Sequence, residues 1–165
     1  MLSTPDLCDQ YSEQVKVITP NAFRDYGAKD CFAGEVVTIK CFEDNSRVKE
    51  QLAEPGIGRV LVVDGGASMR RALLGDLIAA NAVQNGWAGV VIFGCVRDVE
   101  ILSTLPLGIK ALASIPLKTD RRGAGQVNIT LEVGGIQIQP GDYLVADTNG
   151  VVVVPALIGR TLAAS

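Results

Sequence analysis

Histidine is absent from this chain of 165 residues. Without imidazole there is no Ser-His-Asp or Cys-His nucleophile system. Imidazole-ligated zinc, copper and iron go with it. A metal bound here has to be held by oxygen, which favours magnesium or manganese. Proton transfer falls to carboxylate, lysine, tyrosine, cysteine or water. Aromatic residues make up only 5%, so the core is expected to be aliphatic. There is no basic tail and no stripe of mixed aromatic and basic side chains, and the formal net charge is −3. Direct nucleic-acid binding is therefore not expected. No apolar run approaches the ~20 residues of a membrane span. The opening Met-Leu-Ser-Thr-Pro-Asp lacks the charged and apolar regions of a signal peptide. The expectation is a cytoplasmic protein with no membrane contact. The four cysteines, Cys8, Cys31, Cys41 and Cys95, form no Cys-x-x-Cys. They are expected to be reduced, three of them beside apolar residues as small core fillers.

What the chain does have is aliphatic surplus. Hydrophobic residues reach 48%, and the mean hydropathy is +0.29. A single domain over residues 1–165 with a sizeable core fits that length, and the surplus suggests surface hidden in an oligomer. Thr4 reads as the cap of a short helix, with Pro5 behind it. Residues 15–18 read as a possible strand, and 21–29 as polar and turn-rich. Phe32 to Phe42 alternates as a strand, and Glu43-Asp44-Asn45 opens a helix running to about Ala53. Val60 to Val63 reads as a buried strand, while residues 67–74 fit either a short strand or a loose helical turn. Further strands are predicted at 107–114, 127–133, 136–139, 143–146 and 151–154, the last pair joined by a hairpin at Asn149-Gly150. A helix closes the chain at 156–164. Helices alternate with strands early and strands dominate late, which predicts an α/β domain with flanking helices on a mixed sheet or a sheet sandwich, not a doubly wound fold.

The chemistry concentrates between Gly75 and Asp98. Gly75-Asp76 opens a helix pattern, Asn85-Gly86 turns the chain, Ala88 to Phe93 is an apolar strand, and Arg97-Asp98 lies just beyond it. Helix starts and strand ends are where open α/β sheets bind ligands. The first-turn amides of Gly75, Asp76, Leu77 and Ile78 face outward with the positive end of the helix dipole, and can take a carboxylate. Arg97 can clamp the same anion or a neighbouring carbonyl oxygen. Asp98 offers hard oxygen to a cation that keeps several waters, and Asp76 can orient or deprotonate one of those waters. The plainer alternative is a helix cap at Asp76 and a surface ion pair at Arg97-Asp98, worth ~0–1 kcal/mol. The basic, Gly-rich loop Lys118 to Gln126 could bind an anion, though a solvated hairpin loop is the simpler reading. Lys40 and Lys110 lie in strand patterns, and such lysines ordinarily point to solvent.

Several motifs resemble one family. They are Asp6-Leu-Cys-Asp9, Cys41-Phe-Glu-Asp-Asn45, Arg59-Val-Leu-Val-Val-Asp-Gly-Gly66, Arg70-Arg-Ala-Leu-Leu-Gly-Asp76, the Val96-Arg97-Asp98 end and Ala146-Asp-Thr-Asn-Gly150. Together they span nearly the whole chain. They resemble the regulator of ribonuclease activity A, a family once misnamed as a menaquinone methyltransferase, which includes the 4-hydroxy-4-methyl-2-oxoglutarate aldolases. The resemblance implies a swivelling β/β/α domain, like phosphohistidine domains, assembled as a homotrimeric ring and in some members doubled to a hexamer. It implies that the aldolase motif Asp-x20-Arg-Asp falls on Asp76, Arg97 and Asp98. A pyruvyl carboxylate would then sit on the backbone of Gly75 to Ile78, Arg97 would bind substrate, and Asp98 would hold magnesium or manganese. The implied activity is a metal-dependent lyase acting through a pyruvate enolate on 4-hydroxy-4-methyl-2-oxoglutarate and oxaloacetate. The alternative implied role is a protein that binds an endoribonuclease of the ribonuclease E type and inhibits it. The longer aldolases carry a C-terminal extension onto the neighbouring subunit's site; this sequence, ending at Ser165, is expected to lack it.

Overall fold

The computed structural model describes residues 1–165. The strands are β1 (Lys16–Val17), β2 (Arg24–Asp25), β3 (Phe32–Lys40), β4 (Arg59–Asp64), β5 (Ala72–Leu74), β6 (Gly89–Val96), β7 (Gly108–Ser114), β8 (Gln126–Val127), β9 (Leu131–Val133), β10 (Ile136–Ile138), β11 (Tyr143–Asp147) and β12 (Gly150–Val154). The helices are α1 (Thr4–Gln10), α2 (Ser46–Leu52), α3 (Asp76–Gln84), α4 (Val99–Leu102) and α5 (Ala156–Ala163). One mixed sheet runs β1-β12-β11-β3-β4-β6-β7-β2, with β5 joined to β6 and β8 to β3. Its centre, β3-β4-β6-β7, is parallel, and its flanks are antiparallel. The single-domain α/β class with a mixed sheet and flanking helices is as the pattern predicts.

Burial explains why these strands take the centre. Every residue of β6 is buried, as a parallel strand covered on both faces requires. In β3 the alternation divides the layers. Val37, Ile39 and Cys41 face a core completed by α2, α3 and α4, while Val36 faces a second core of Val60, Val62, Leu131, Ile138 and Val153. The hairpin of β9 and β10 closes that second face. A third, smaller cluster packs Leu7 of α1 against Val145 and Val152.

Several local expectations are corrected. Ser3, not Thr4, caps α1, its side chain accepting the Asp6 N–H at 3.2 Å. Thr4 is instead buried, and its N–H and hydroxyl both donate to the Asp147 carboxylate at 2.8 Å. The ambiguous stretch resolves as strand β5, and the turn-rich 21–29 includes the short edge strand β2. The run 127–133 is not one strand: Asn128 sits at φ 56°, a left-handed conformation that breaks a ladder. Strand β6 runs on to Val96 because β5 pairs with its last residues. Lys110 does not reach solvent; it is buried and its Nζ lies 3.0 Å from Asp25 Oδ1, pinning edge strand β2 to β7. Cys41 and Cys95 are buried fillers, Cys8 is half-buried, and Cys31 is exposed.

Candidate functional site

Two strand ends and a helix start meet at one place. β5 and β6 are parallel, and Leu74 stands opposite Val96. The pairing extends one residue further, because the Arg97 N–H donates to the Leu74 carbonyl at 2.9 Å. Gly75 and Arg97 therefore leave the sheet side by side, one into α3 and the other into the turn before α4. Asp98 takes a left-handed conformation, φ 57° and ψ 41°, which Asp tolerates better than most side chains. That turn brings its carboxylate back toward α3, where Oδ2 accepts the Asp76 N–H at 3.0 Å. The same oxygen lies 3.9 Å from Arg97 Nε. Gly75 is needed for the close approach: a Cβ there would come within 2.8 Å of Asp98 Oδ2 and 3.3 Å of Arg97 Nε.

A pocket of about 350 Å³ opens here. Gly75, Asp76, Leu77, Ile78 and Arg97 all line it. Asp98 does not; it packs against Gly75 beside the lining and reaches the pocket through Asp76 and Arg97. The amides are not all open as expected. Asp98 takes that of Asp76, and the Asp76 side chain takes that of Leu77 at 2.9 Å. Both hydrogen bonds show that this helix start accepts carboxylate oxygen, in line with its dipole and unpaired donors.

The chain provides no group of three His, Cys, Asp or Glu side chains able to hold a metal. One of the Asp98 oxygens is held by an amide, and no hydrogen bond engages the other. Such a donor set suits a hard cation that keeps most of its water, as magnesium does, and does not suit a closed protein cage.

The far wall of the pocket comes from elsewhere. Lys118, Thr119, Asp120 and Arg121 line it together with Asn45. The Ala72 N–H donates to the Leu117 carbonyl at 2.7 Å, and Arg71 Nη1 donates to the Lys118 carbonyl at 2.9 Å. Those contacts run the basic loop along β5. Asn45 is buried and fixes the loop: its Nδ2 donates to the Leu73 carbonyl, and its Oδ1 accepts from Thr119 Oγ1 at 2.8 Å and from Arg121 Nε at 3.0 Å. Next to it Asp44 ties the loop's other half. Its Oδ1 accepts from the Ser46 N–H and hydroxyl, and its Oδ2 from the Arg122 and Ala124 amides. Burial alone would push this carboxyl up, but those bonds outweigh it and hold it down at about 2. The loop is therefore a wall of the pocket and not a free hairpin. Sequence reasoning singled out its basic character but did not connect Asn45 to it.

A family model described as "RraA-like: Aldolase/RraA" matches residues 4–153. The chain belongs to the RraA-like family. Among its relatives, a protein of Ectopseudomonas mendocina, provisionally named 4-hydroxy-4-methyl-2-oxoglutarate aldolase, is 58% identical over 152 residues, covering 92% of this chain and 93% of that one. The solved structure of the RNA-processing inhibitor RraA from Thermus thermophilis superposes with a TM-score of 0.91 at 44% identity, over 94% of this chain and 93% of that chain. A Geobacillus kaustophilus structure bearing the name S-adenosylmethionine: 2-dimethylmenaquinone methyltransferase gives 0.89 at 44% identity, over 93% and 94% of the two chains. RraA-like membership accounts for the motifs that run from Asp6 to Gly150.

Proposed function

We propose that this RraA-like chain is a carbon–carbon lyase for small 2-oxo acids. It would cleave 4-hydroxy-4-methyl-2-oxoglutarate into two pyruvates and decarboxylate oxaloacetate to pyruvate. One observation carries the reading: Arg97 and the first turn of α3 line a single pocket, with Asp98 bonded to that turn.

The substrate's 1-carboxylate takes the place that the Asp76 side chain now occupies on the Leu77 amide, with Ile78 N–H beside it. Arg97 donates to the 2-oxo oxygen and becomes a stronger partner as negative charge builds there. Asp76, displaced from Leu77, is free to hold a water against the 4-hydroxyl and draw off its proton. The C3–C4 bond then breaks. Its electron pair moves onto C3 and the 2-oxo oxygen, and C4 becomes the keto carbon of the departing pyruvate. Protonation at C3 releases the second pyruvate. A divalent cation, magnesium or manganese, held by Asp98 would supply Lewis-acid polarisation of the 2-oxo group. The experiment is pyruvate release from both substrates with magnesium and with EDTA, in the wild type, Arg97→Ala and Asp98→Ala. Activity that survives both substitutions overturns the site assignment.

A second reading is favoured by likeness to the Thermus inhibitor: binding to an endoribonuclease of the ribonuclease E type through a surface of the assembly. A pull-down with that enzyme's non-catalytic scaffold tests it, and no capture at micromolar protein removes it. A homotrimeric ring, single or doubled to a hexamer, is part of the same proposal. It is supported by the apolar side chains left in solvent, Leu77 at 79% exposed and Ile57 at 86%. Light scattering reads the mass directly.

A further inference from the structure

The second face of the sheet carries a pocket of its own, of about 380 Å³. Three neighbouring strands form its floor: Asp64 of β4 stands beside Phe93 of β6, and Leu112 of β7 follows Ala111, whose partner is Ile92. Asp64 continues the alternation of Val60 and Val62 and faces the same layer, while α3 packs on the other. Phe23 makes a wall, its ring edge-on to Phe93 with centroids 5.0 Å apart. Thr19 closes the rim, its N–H donating to the Gly134 carbonyl at 2.9 Å.

Three aspartates of the chain are buried, Asp44, Asp64 and Asp147. Both oxygens of Asp44 and both of Asp147 accept hydrogen bonds. Asp64 differs: its Oδ1 accepts the Gly66 N–H at 3.0 Å, but no hydrogen bond or ion pair engages Oδ2, although the residue is 9% exposed. No lysine or arginine lines the pocket. A carboxylate oxygen this deep without a donor is uncommon, and it calls for a positive partner. The walls around it are apolar and aromatic. They suit the body of an organic molecule and, through the ring faces, a positive charge.

We propose that this pocket is a second ligand site, which takes a small organic cation: a primary ammonium on a short apolar body. The ammonium donates to Asp64 Oδ2, and the body lies against Phe23, Phe93 and Leu112. The same oxygen repels an anion of equal shape, which separates this ligand class from the 2-oxo acids. The two pockets share no residue, so the assignment stands apart from the lyase reading.

Benzylamine, benzyl alcohol and benzoate serve as probes, matched in shape and different in charge. Binding to the full chain is read by calorimetry at neutral pH, where benzylamine carries its proton. The wild type is expected to bind benzylamine at least ~10-fold more tightly than benzyl alcohol, the size of one charge-assisted hydrogen bond, and benzoate least of the three. Asp64→Asn keeps an oxygen for the Gly66 N–H and should fold, with the preference for benzylamine gone. Leu112→Trp fills the pocket and leaves the carboxylate in place; it should weaken benzylamine at least ~10-fold, and it decides the question should Asp64→Asn fail to fold. In a titration followed by amide NMR, the shifts should centre on Gly66 and Phe93. Equal binding of amine and alcohol by the wild type, or binding of neither, overturns the proposal. So does a preference that persists in Asp64→Asn, unchanged affinity in Leu112→Trp, or shifts centred on Leu77 and Ile78, which would put the amine in the first pocket.

Discussion

The Asp98 carboxylate accepts the backbone N–H of Asp76 at 3.0 Å from 22 positions along the chain. This bond closes the site: it ties the turn after β6 to the start of α3 and keeps Arg97 between them. The expected effects of substitution follow from what each atom at this junction touches.

Gly75→Ala is expected to keep the fold and lose activity. The φ at this position, −130°, is ordinary extended backbone, so the methyl brings no backbone strain. What it meets are the side chains of Asp98 and Arg97, which can move aside. Thermal melting should change by less than ~1 kcal/mol in stability. The value of kcat/KM for oxaloacetate should fall at least ~10-fold, because the displaced groups are those assigned to substrate and metal. A variant with unchanged kinetics removes these side chains from the chemistry.

Removing the Arg97 side chain is expected to lower kcat/KM by roughly 10²–10³-fold, the size of losing a principal donor to developing oxyanion charge. Its side chain is 38% exposed and its distance to Asp98 is 3.9 Å, so the ion pair adds ~0–1 kcal/mol at most and Arg97→Ala should still fold. Arg97→Lys should restore little, for an ammonium cannot offer two parallel donors. Steady-state kinetics with a circular-dichroism control for folding decides both points.

Asp98→Asn separates structure from metal binding. The amide oxygen can still accept the Asp76 N–H, so the melting temperature should stay close to that of the wild type. The hard anionic oxygen is gone, so the magnesium concentration needed for half-maximal activity should rise at least ~10-fold. A metal titration showing no change would move the cation away from this residue.

Acid should loosen the basic loop before it unfolds the domain. The Asp44 carboxyl is held at about 2 against an ordinary 3.8, so it binds its proton later in the folded chain than in the unfolded one. Its contribution is complete above the ordinary value, and is lost as pH falls from about 4 toward 2. Asp147, also held below its ordinary value, is buried and bonded to Thr4 and Asn149; it weakens the tie to α1 in the same direction. Melting curves from pH 5 to 2 should steepen in this window for the wild type, and should be flatter for Asp44→Asn. Identical profiles would mean that the four donors on Asp44 do not stabilise the folded loop.

Much of this arrangement is legible along the chain, and the part that is not has a physical reason. The central strands announce themselves because a strand buried on both faces, such as β6, has to be apolar throughout. The pairing of Gly75 with Arg97 is readable because a helix start and a strand end are joined by a short path through α3 and β6. The Thr4–Asp147 contact is not readable, since it links positions 143 apart, and local pattern makes Thr4 look like an ordinary cap. Asn45 is hidden for the same reason: its partners Thr119 and Arg121 lie 74 and 76 positions away. Lys110 misleads because alternation gives the face a residue takes, while only the neighbouring strand supplies the Asp25 that makes burial tolerable.

The parallel register of β5 and β6 makes the interval from Asp76 to Arg97 a ruler. It is consumed by nine residues of α3, a tight turn, and the eight of β6. A residue added inside β6 would turn its side chains to the opposite layer and carry Arg97 off the pocket wall. One added in the loop at Asn85-Gly86, at the far end of α3 from the pocket, leaves both ends of the ruler in place. Homologues that differ in length should therefore tolerate the change at that loop and keep the strand itself uncut.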